Sequence, residues 1–263
     1  MGKEFHGQLQ LVSKGLFYED QLPSGIVNCE PWGKVEEQRF LSPSVPFEDT
    51  LDFVIKTLTD CKVPPDDLLL ADRQQLFLFM RCLTYGGEYS FSYKCQNCPE
   101  KGRHHMDLEK DLSVTYADDP ELLAELGMES LEEPFTFELP IQGKCVAWRM
   151  LRGADEKSVE RWKLKQKQKK RKSGFDSSDV IYRLARRIVS VDGESLDILE
   201  SMEFIRSLRG KDSLAISQEI QAMSFGVDTE IDDVRCAECG YPNDLILPMD
   251  KTFFRPEGRV AKH

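Results

Sequence analysis

Catalytic motifs and long hydrophobic runs are both missing from this chain of 263 residues. It has no glycine-rich phosphate loop, no serine nucleophile elbow and no HExxH metalloprotease motif. The most apolar stretch, DDLLLADRQQLFLFMRCL, is interrupted by Asp72 and Arg73 and is shorter than the roughly 20 apolar residues of a membrane span. The opening residues, MGKEFHGQLQLV, lack the apolar core of a secretory signal peptide. The sequence predicts a non-enzymatic protein, without a membrane span, made in a reducing cytosol.

Positive charge is scarce overall, since 46 acidic residues outnumber 35 basic ones and give a net charge of -11. This balance opposes broad attraction to nucleic acid or to anionic membranes. One segment, Lys163 to Lys172, reverses it with seven cations in ten residues. Such a run could bind phosphates in a salt-dependent manner, but no aromatic residue follows Trp162 within it. We interpret it as a solvated helix extension, or an arm that contacts an acidic protein neighbour, and expect Gly174 to end it.

Disulfides are not expected among the eight cysteines, because the chain is large and carries no export signal. Four cysteines stand alone in apolar or strand-like settings, and we predict that they are small buried side chains: Cys29, Cys61, Cys82 and Cys145. The other four form two CxxC pairs, one in FSYKCQNCPEKGRHH and one in VRCAECGYPND. These pairs carry the strongest chemical signal in the sequence.

The two pairs predict one structural zinc ion per chain, because a closed zinc site takes four thiolates arranged tetrahedrally at about 2.3 Å. Its ligands would be Cys95, Cys98, Cys236 and Cys239. A basic residue, Lys94 or Arg235, precedes each pair and could offset the excess negative charge of the thiolates. Two alternatives stay open. Cys95 and Cys98 could bind a metal with His104 or His105, which would leave the second pair unused, or the two pairs could be redox-active disulfides, although neither opens a thioredoxin-like helix.

Hydrophobic spacing predicts both strands and helices along the chain. Predicted strands are LVSKGLFY, IVNCEPW, EYSFSYKC and HHMDLEKDLSV, and the segments PFTFELP and KCVAWRML form a predicted hairpin. Predicted helices begin at Phe47, at Leu68 and at Asp155, and further ones cover DPELLAELGM, SSDVIYRLARRI, SLDILESMEFIRSL and DSLAISQEIQAM.

The order of parts before the two CxxC pairs is similar and indicates a diverged internal duplication. Asp72 lies 23 residues before Cys95, and Asp212 lies 24 residues before Cys236. The LPSG turn at residues 22–25 and the LPIQG turn at residues 139–143 extend the parallel upstream. We therefore predict an α+β fold of two diverged pseudo-repeats of hairpins and helices, joined by a split zinc ribbon. The predicted boundaries are 1–116 for the first half, 117–133 for an acidic connector and 134–263 for the second half.

Four segments, taken in order, resemble the baseplate hub protein family of T-even-type contractile-tailed bacteriophages. They are LVSKGLFYEDQLPSG, DDLLLADRQQLFLFMRCLTYGGEYSF with the CxxC pair after it, LPIQG with LRGADEK, and the terminal CxxCG with FFRP. The resemblance spans nearly the whole chain, although the run KLKQKQKKRK has no family role that we can assign and PEKGRHH lengthens the first CxxC turn.

The resemblance implies a structural or assembly role without catalytic residues. Expected partners are other phage baseplate and hub proteins, with no small-molecule substrate and no nucleic acid. The expected location is the tail baseplate of the virion, after assembly in the host cytoplasm. One alternative is a transient chaperone of hub assembly that is absent from the mature virion, and a less favoured one is a nucleic-acid-binding zinc-ribbon protein that uses the basic run.

Overall fold

The computed structural model describes residues 5–173, 179–249 and 251–254, and it has a mixed helix and strand architecture. The described helices are α1 (Lys34–Leu41), α2 (Phe47–Leu58), α3 (Leu70–Tyr85), α4 (Pro120–Leu126), α5 (Gly153–Ser173), α6 (Asp179–Ala185), α7 (Ile198–Ser207), α8 (Gly210–Ala222) and α9 (Lys251–Phe254). The content agrees with the predicted α+β class. No described helix is long and apolar enough to cross a membrane.

The strands pair mainly as separate antiparallel hairpins. They are β1 (Gly7–Gln10), β2 (Ile26–Cys29), β3 (Glu88–Lys94), β4 (Lys101–Asp107), β5 (Val114–Thr115), β6 (Phe135–Glu138), β7 (Cys145–Trp148), β8 (Ile188–Val191), β9 (Glu194–Ser195), β10 (Gly226–Val227), β11 (Glu230–Arg235) and β12 (Pro242–Ile246). Strands β6 to β9 form a four-stranded meander, and β1–β2, β3–β4, β11–β12 and β5–β10 form two-stranded sheets. The β5–β10 pair joins segments from the two predicted halves.

The core is continuous across the predicted halves, and an aromatic cluster shows how they interlock. Phe77 of α3 is 1% exposed and stacks against Phe253 of α9, with ring centroids 5.2 Å apart. Phe254 stacks on Phe40 of α1 at 4.5 Å. The end of the described chain thus fills the core of the first half. Ala117, Leu122 and Leu131 of the predicted connector are buried in the same core, and the predicted domain boundaries stay a prediction.

A buried ion-pair network ties α2, α3 and α5 together around Arg73, which is 1% exposed. Its guanidinium donates to Asp52 at 2.7 Å, to Glu48 at 2.5 Å and to the carbonyl oxygen of Pro65 at 2.8 Å. Lys157 of α5 pairs with Asp52 as well and also with Asp66. Charged groups lose their solvation in the protein interior. Each buried charge in this network therefore stays ionised at a low cost in free energy only because its ion-pair partners are present.

Most of the long elements agree with the sequence predictions. The helices at Phe47 and Leu68, the short helix of the connector, the strand EYSFSYKC and the hairpin around residues 135–148 are confirmed, as are α5, α7 and α8. Gly174 lies outside the described residues, as do the side chains of residues 167–173, so the predicted end of the basic run stays a prediction.

The prediction of a strand over LVSKGLFY is wrong, because these residues form consecutive turns and β1 lies upstream of them. Lys14 and Gly15 take φ values of 54° and 83°, which a strand cannot accommodate. The backbone N–H of Ser13 donates to the buried carboxylate of Asp72 at 3.0 Å instead of to a neighbouring strand. A tertiary hydrogen bond has therefore replaced the strand ladder.

Three further predictions are corrected. The strand predicted from His104 to Val114 runs over Lys101–Asp107 and stops there, because the Asp107 carboxylate accepts the N–H of Glu109 in a turn. The helix predicted over SSDVIYRLARRI ends at Ala185, and β8 follows as the third strand of the meander. Cys145 is exposed at the start of β7 instead of buried, whereas Cys29 and Cys82 are buried as predicted and Cys61 is half-buried.

Candidate metal centre

The two CxxC pairs lie at the tips of two antiparallel hairpins that have the same local construction. In the first hairpin β3 and β4 pair up to Lys94 and Lys101, and in the second β11 and β12 pair up to Arg235 and Pro242. The backbone N–H of Cys95 donates to the carbonyl of Glu100 at 3.0 Å. The N–H of Cys236 makes the equivalent bond, also 3.0 Å, to the carbonyl of Tyr241. Each tip therefore holds its two sulfurs on one side of a tight turn.

The four sulfurs converge on one point. The Sγ atoms of Cys95 and Cys239 lie 3.7 Å apart, as do those of Cys98 and Cys236, and all four lie within 4.8 Å of one another. A tetrahedron with metal–sulfur bonds of about 2.3 Å has edges of about 3.8 Å. A disulfide, by contrast, needs about 2.05 Å between sulfurs. The geometry fits a four-coordinate metal ion, and each of the two 3.7 Å contacts joins one hairpin to the other.

The hydrogen bonds among the four thiols favour the thiolate form of Cys95 and oppose that of Cys98. Burial opposes ionisation of Cys95, but the backbone N–H groups of Asn97 and Cys98 and bonds from neighbouring thiols lower its pKa to about 6. Although the N–H of Glu100 favours the Cys98 thiolate, burial and bonds to the other three thiols raise its pKa to about 12. The thiols therefore cannot all ionise independently, and a divalent cation would displace the remaining protons.

Asn243 connects the two hairpins directly behind the cluster and is fully buried. Its side-chain oxygen accepts the backbone N–H of Gln96, between the first two cysteines, at 2.8 Å. Its amide nitrogen donates to the carbonyls of Val234 and Tyr241 at 3.0 and 2.9 Å. No signal in the sequence points to this residue, because an asparagine one position after a proline is not a metal-site motif. Its role depends on the first hairpin, which is remote in sequence.

Replacing Asn243 with alanine is expected to weaken the binding of a metal ion by the four cysteines by roughly tenfold, since residues that position metal ligands typically contribute this much or more to affinity. The substitution removes the acceptor for the Gln96 N–H and the side-chain donor to the carbonyls of Val234 and Tyr241. Competition with a chromophoric chelator would measure the affinity. Asp232→Asn is the matched control, because Asp232 is exposed on β11. Equal affinities in the two variants would contradict a positioning role for Asn243.

The other residues considered from the sequence lie outside the sulfur cluster. Among the described residues, the group able to hold a metal consists of the four cysteines, without His104 or His105. The Nδ1 atom of His105 lies 2.6 Å from the Ser90 hydroxyl oxygen, and the ring of His104 packs against Phe91. Arg235 forms an ion pair with Asp233 at 3.1 Å. A role for Lys94 and Arg235 in offsetting thiolate charge stays a prediction.

Comparison with known proteins gives one family. The family model described as T4 bacteriophage base plate protein matches residues 16–255, a range that includes both hairpins and all four clustered cysteines. No curated protein and no solved structure matches the chain.

Proposed function

This chain belongs to the T4 bacteriophage base plate protein family, and from that premise we propose that it is a zinc-stabilised component of the phage tail baseplate at or beside the central hub. Family membership supports a structural role in the baseplate, and the position at the hub is the more specific part of the proposal. The ordered segments that resemble hub proteins, from LVSKGLFYEDQLPSG to FFRP, support the hub position. Other baseplate and hub proteins are the proposed partners, and the virion is the proposed location after assembly in the host cytoplasm.

The convergence of four cysteine sulfurs is the observation that carries the zinc part of the proposal. Cys95, Cys98, Cys236 and Cys239 would each donate one thiolate. A site with four protein ligands leaves no open position for water, which supports a structural ion and not a catalytic one. When bound, zinc would connect two hairpins whose cysteines are far apart in sequence. Because the site forms only in the folded chain, zinc binding adds to the free energy of folding and fixes the hairpins relative to each other.

A high-resolution map of purified tails, combined with mass spectrometry of the same particles, would test the assignment. A virion component is expected at a fixed copy number, with density next to the hub and a strong peak between the four cysteines. If the protein is abundant in infected cells but absent from finished tails, the alternative of a transient assembly chaperone replaces the proposal. Density at the outer edge of the baseplate would contradict the hub position alone.

We also propose that the two halves descend from one duplicated unit, and equivalent contacts around two aspartates support this. Asp72 is the third residue of α3 and accepts the N–H of Ser13 at 3.0 Å. Asp212 is the third residue of α8 and accepts the N–H of Ile141 at 2.8 Å. Both carboxylates are fully buried. In each case the donor lies in the turn of the hairpin that opens its half.

These contacts suggest a different alignment of the halves from the one based on the LPSG turn. Leu11, which follows β1 directly, corresponds to Leu139, which follows β6 directly. The turn LVSKG then aligns with LPIQG, and the glycine at the end of each has a positive φ, 83° for Gly15 and 63° for Gly143. The LPSG segment belongs to additional residues inserted in the first hairpin.

Alanine at either aspartate is expected to destabilise the protein, since the N–H of the facing turn would lose its acceptor. The expected loss in unfolding free energy is about 1–3 kcal/mol for each variant. Asp72→Ala should have the larger effect, because Asp72 also accepts the hydroxyl of Tyr18. Urea unfolding would measure both, with the exposed Asp228→Ala as a control. Loss from one variant and not the other would contradict the equivalence of the two contacts.

A further inference from the structure

A groove separate from the metal centre lies between the start of α3, the end of β7 and the end of α8. We call it the α3–α8 groove, and its cavity volume is about 240 Å³. Its lining combines polar and apolar groups, and the apolar part comes from Leu69, Trp148, Met150, Ile220, Met223 and Phe225. Ser217, Gln221 and Ser224 lie at its exposed rim. Apolar side chains that line such a cavity can receive an apolar anchor side chain, and the polar groups beside them can orient it.

Arg187 forms one wall of the α3–α8 groove. Its guanidinium makes none of the ion pairs found among the described residues, and the charges of Asp155 and Glu133 act on it at longer range. It lies 5.9 Å from the Trp148 ring centre. Burial is the largest cause of the fall in its pKa to about 10, and the nearby positive charge of Arg183 adds to it. The guanidinium is thus still charged at neutral pH, while its solvation is poor. A carboxylate brought next to it would form a charge-assisted hydrogen bond.

Arg187 differs from the arginines near it, because each of them already has a carboxylate partner. Arg149 and Arg186 bind Asp155, while Arg152 binds Glu133 and Arg183 binds Glu156. The region contains charges of both signs, but its carboxylates are shared among these other arginines. Arg187 is therefore the cation of this group that can pair with an acidic occupant.

We propose that the α3–α8 groove binds an extended segment of a partner protein in which an apolar side chain directly precedes an acidic residue. The apolar side chain fills the cavity between Trp148, Met150 and Met223, and the carboxylate pairs with Arg187. The cavity has room for about one large side chain, so a single residue is the anchor. Methionine side chains in the lining adapt to leucine, isoleucine or phenylalanine. The inference does not depend on zinc, and its failure would leave the baseplate assignment unchanged.

The test uses the full chain with methyl groups labelled for NMR and two capped dipeptides as probes. The probes are N-acetyl-leucyl-aspartate amide and N-acetyl-leucyl-asparagine amide, which differ in charge but hardly in shape. Saturable shifts are expected for the methyl groups of Met150, Ile220 and Met223, with the aspartate probe binding about tenfold more tightly. Arg187→Gln should remove the difference between the probes. Arg183→Gln, which changes an arginine already paired with Glu156, should preserve it.

A second variant separates the groove from other surfaces. Ser217→Trp places a large side chain on the exposed rim and should block both probes without altering the core. The proposal is overturned if millimolar aspartate probe leaves the groove methyl groups unshifted, if the two probes bind equally well, or if the shifts survive Ser217→Trp. Light scattering would show whether the oligomeric state differs between the wild type and Arg187→Gln. A change of oligomeric state in Arg187→Gln would identify a second copy of this chain as the occupant and would also overturn the proposal.

Discussion

Serine in place of Cys236 is expected to remove nearly all zinc from the purified protein. The variant keeps three thiolates, but a closed structural site needs four, and a neutral hydroxyl is a poor substitute for a thiolate. The Sγ of Cys236 lies 3.7 Å from that of Cys98 and completes one edge of the tetrahedron. Elemental analysis of protein purified without added metal should give close to one zinc per chain for the wild type and almost none for Cys236→Ser.

Loss of zinc should loosen the hairpin tips more than the rest of the fold. The tips carry few buried apolar side chains, whereas Tyr89, Phe91 and Met106 anchor the base of the first hairpin in the core. Local opening requires less free energy where buried contacts are few. Hydrogen exchange should therefore accelerate by about tenfold or more around residues 92–103 and 235–243, while amides of α3 keep their protection.

Cys145→Ser is the matched control, because Cys145 is an exposed cysteine outside the cluster. It should keep full zinc content and unchanged exchange rates at both hairpin tips. If Cys236→Ser retained its zinc, the proposal of a metal site shared between the two hairpins would be wrong. The local alternative with His104 or His105 would then be tested by replacing both histidines with alanine.

The convergence of the four cysteines could be predicted from sequence because the two CxxC pairs are local motifs. Two cysteines separated by two residues constrain each tip to present both sulfurs together, whatever the rest of the fold does. That the two tips meet could be inferred from the need for four ligands. The contacts that hold them together could not. Asn243 acts on Gln96 across a long separation in sequence, and an asparagine at that place is usual in any exposed turn.

Secondary structure was predictable where apolar residues recur over several turns, as in α2 and α3. It failed where the deciding contacts are non-local. The four residues of β8 are too few to establish a strand pattern, and they become a strand by pairing with β7. Residues 11–18 have an apolar composition suited to a strand, but the carboxylate of Asp72 takes the N–H of Ser13 and holds them as turns. The halves are also more intertwined than separate boundaries imply, since Phe253 packs on Phe77.

Arg73 is another residue whose role could not be predicted from the sequence, and its replacement is expected to have a large effect on stability. In the sequence it merely interrupts an apolar run, yet its side chain is at the centre of the contacts among α2, α3 and α5. Arg73→Met is expected to lower the unfolding free energy by about 3–5 kcal/mol, because Glu48 and Asp52 would remain buried with one cation removed. Arg206→Met is the control, since Arg206 is exposed on α7 and its loss should change stability by less than about 0.5 kcal/mol.

The pH dependence of this loss distinguishes uncompensated charge from lost packing. Burial raises the pKa of Glu48 above its usual range, and Arg73 opposes that rise. A carboxyl whose folded pKa is raised stabilises the fold in acid and loses that contribution as the pH rises through the folded pKa. Without Arg73 the folded pKa of Glu48 rises further, so the cost of Arg73→Met should be largest near neutral pH and should shrink as the pH falls toward the usual glutamate pKa.

Adding Glu48→Gln to Arg73→Met should likewise recover part of the lost unfolding free energy at neutral pH. A cost that is the same at every pH and insensitive to Glu48→Gln would mean that Arg73 contributes through packing alone, and the ion-pair network would then not be what joins the three helices.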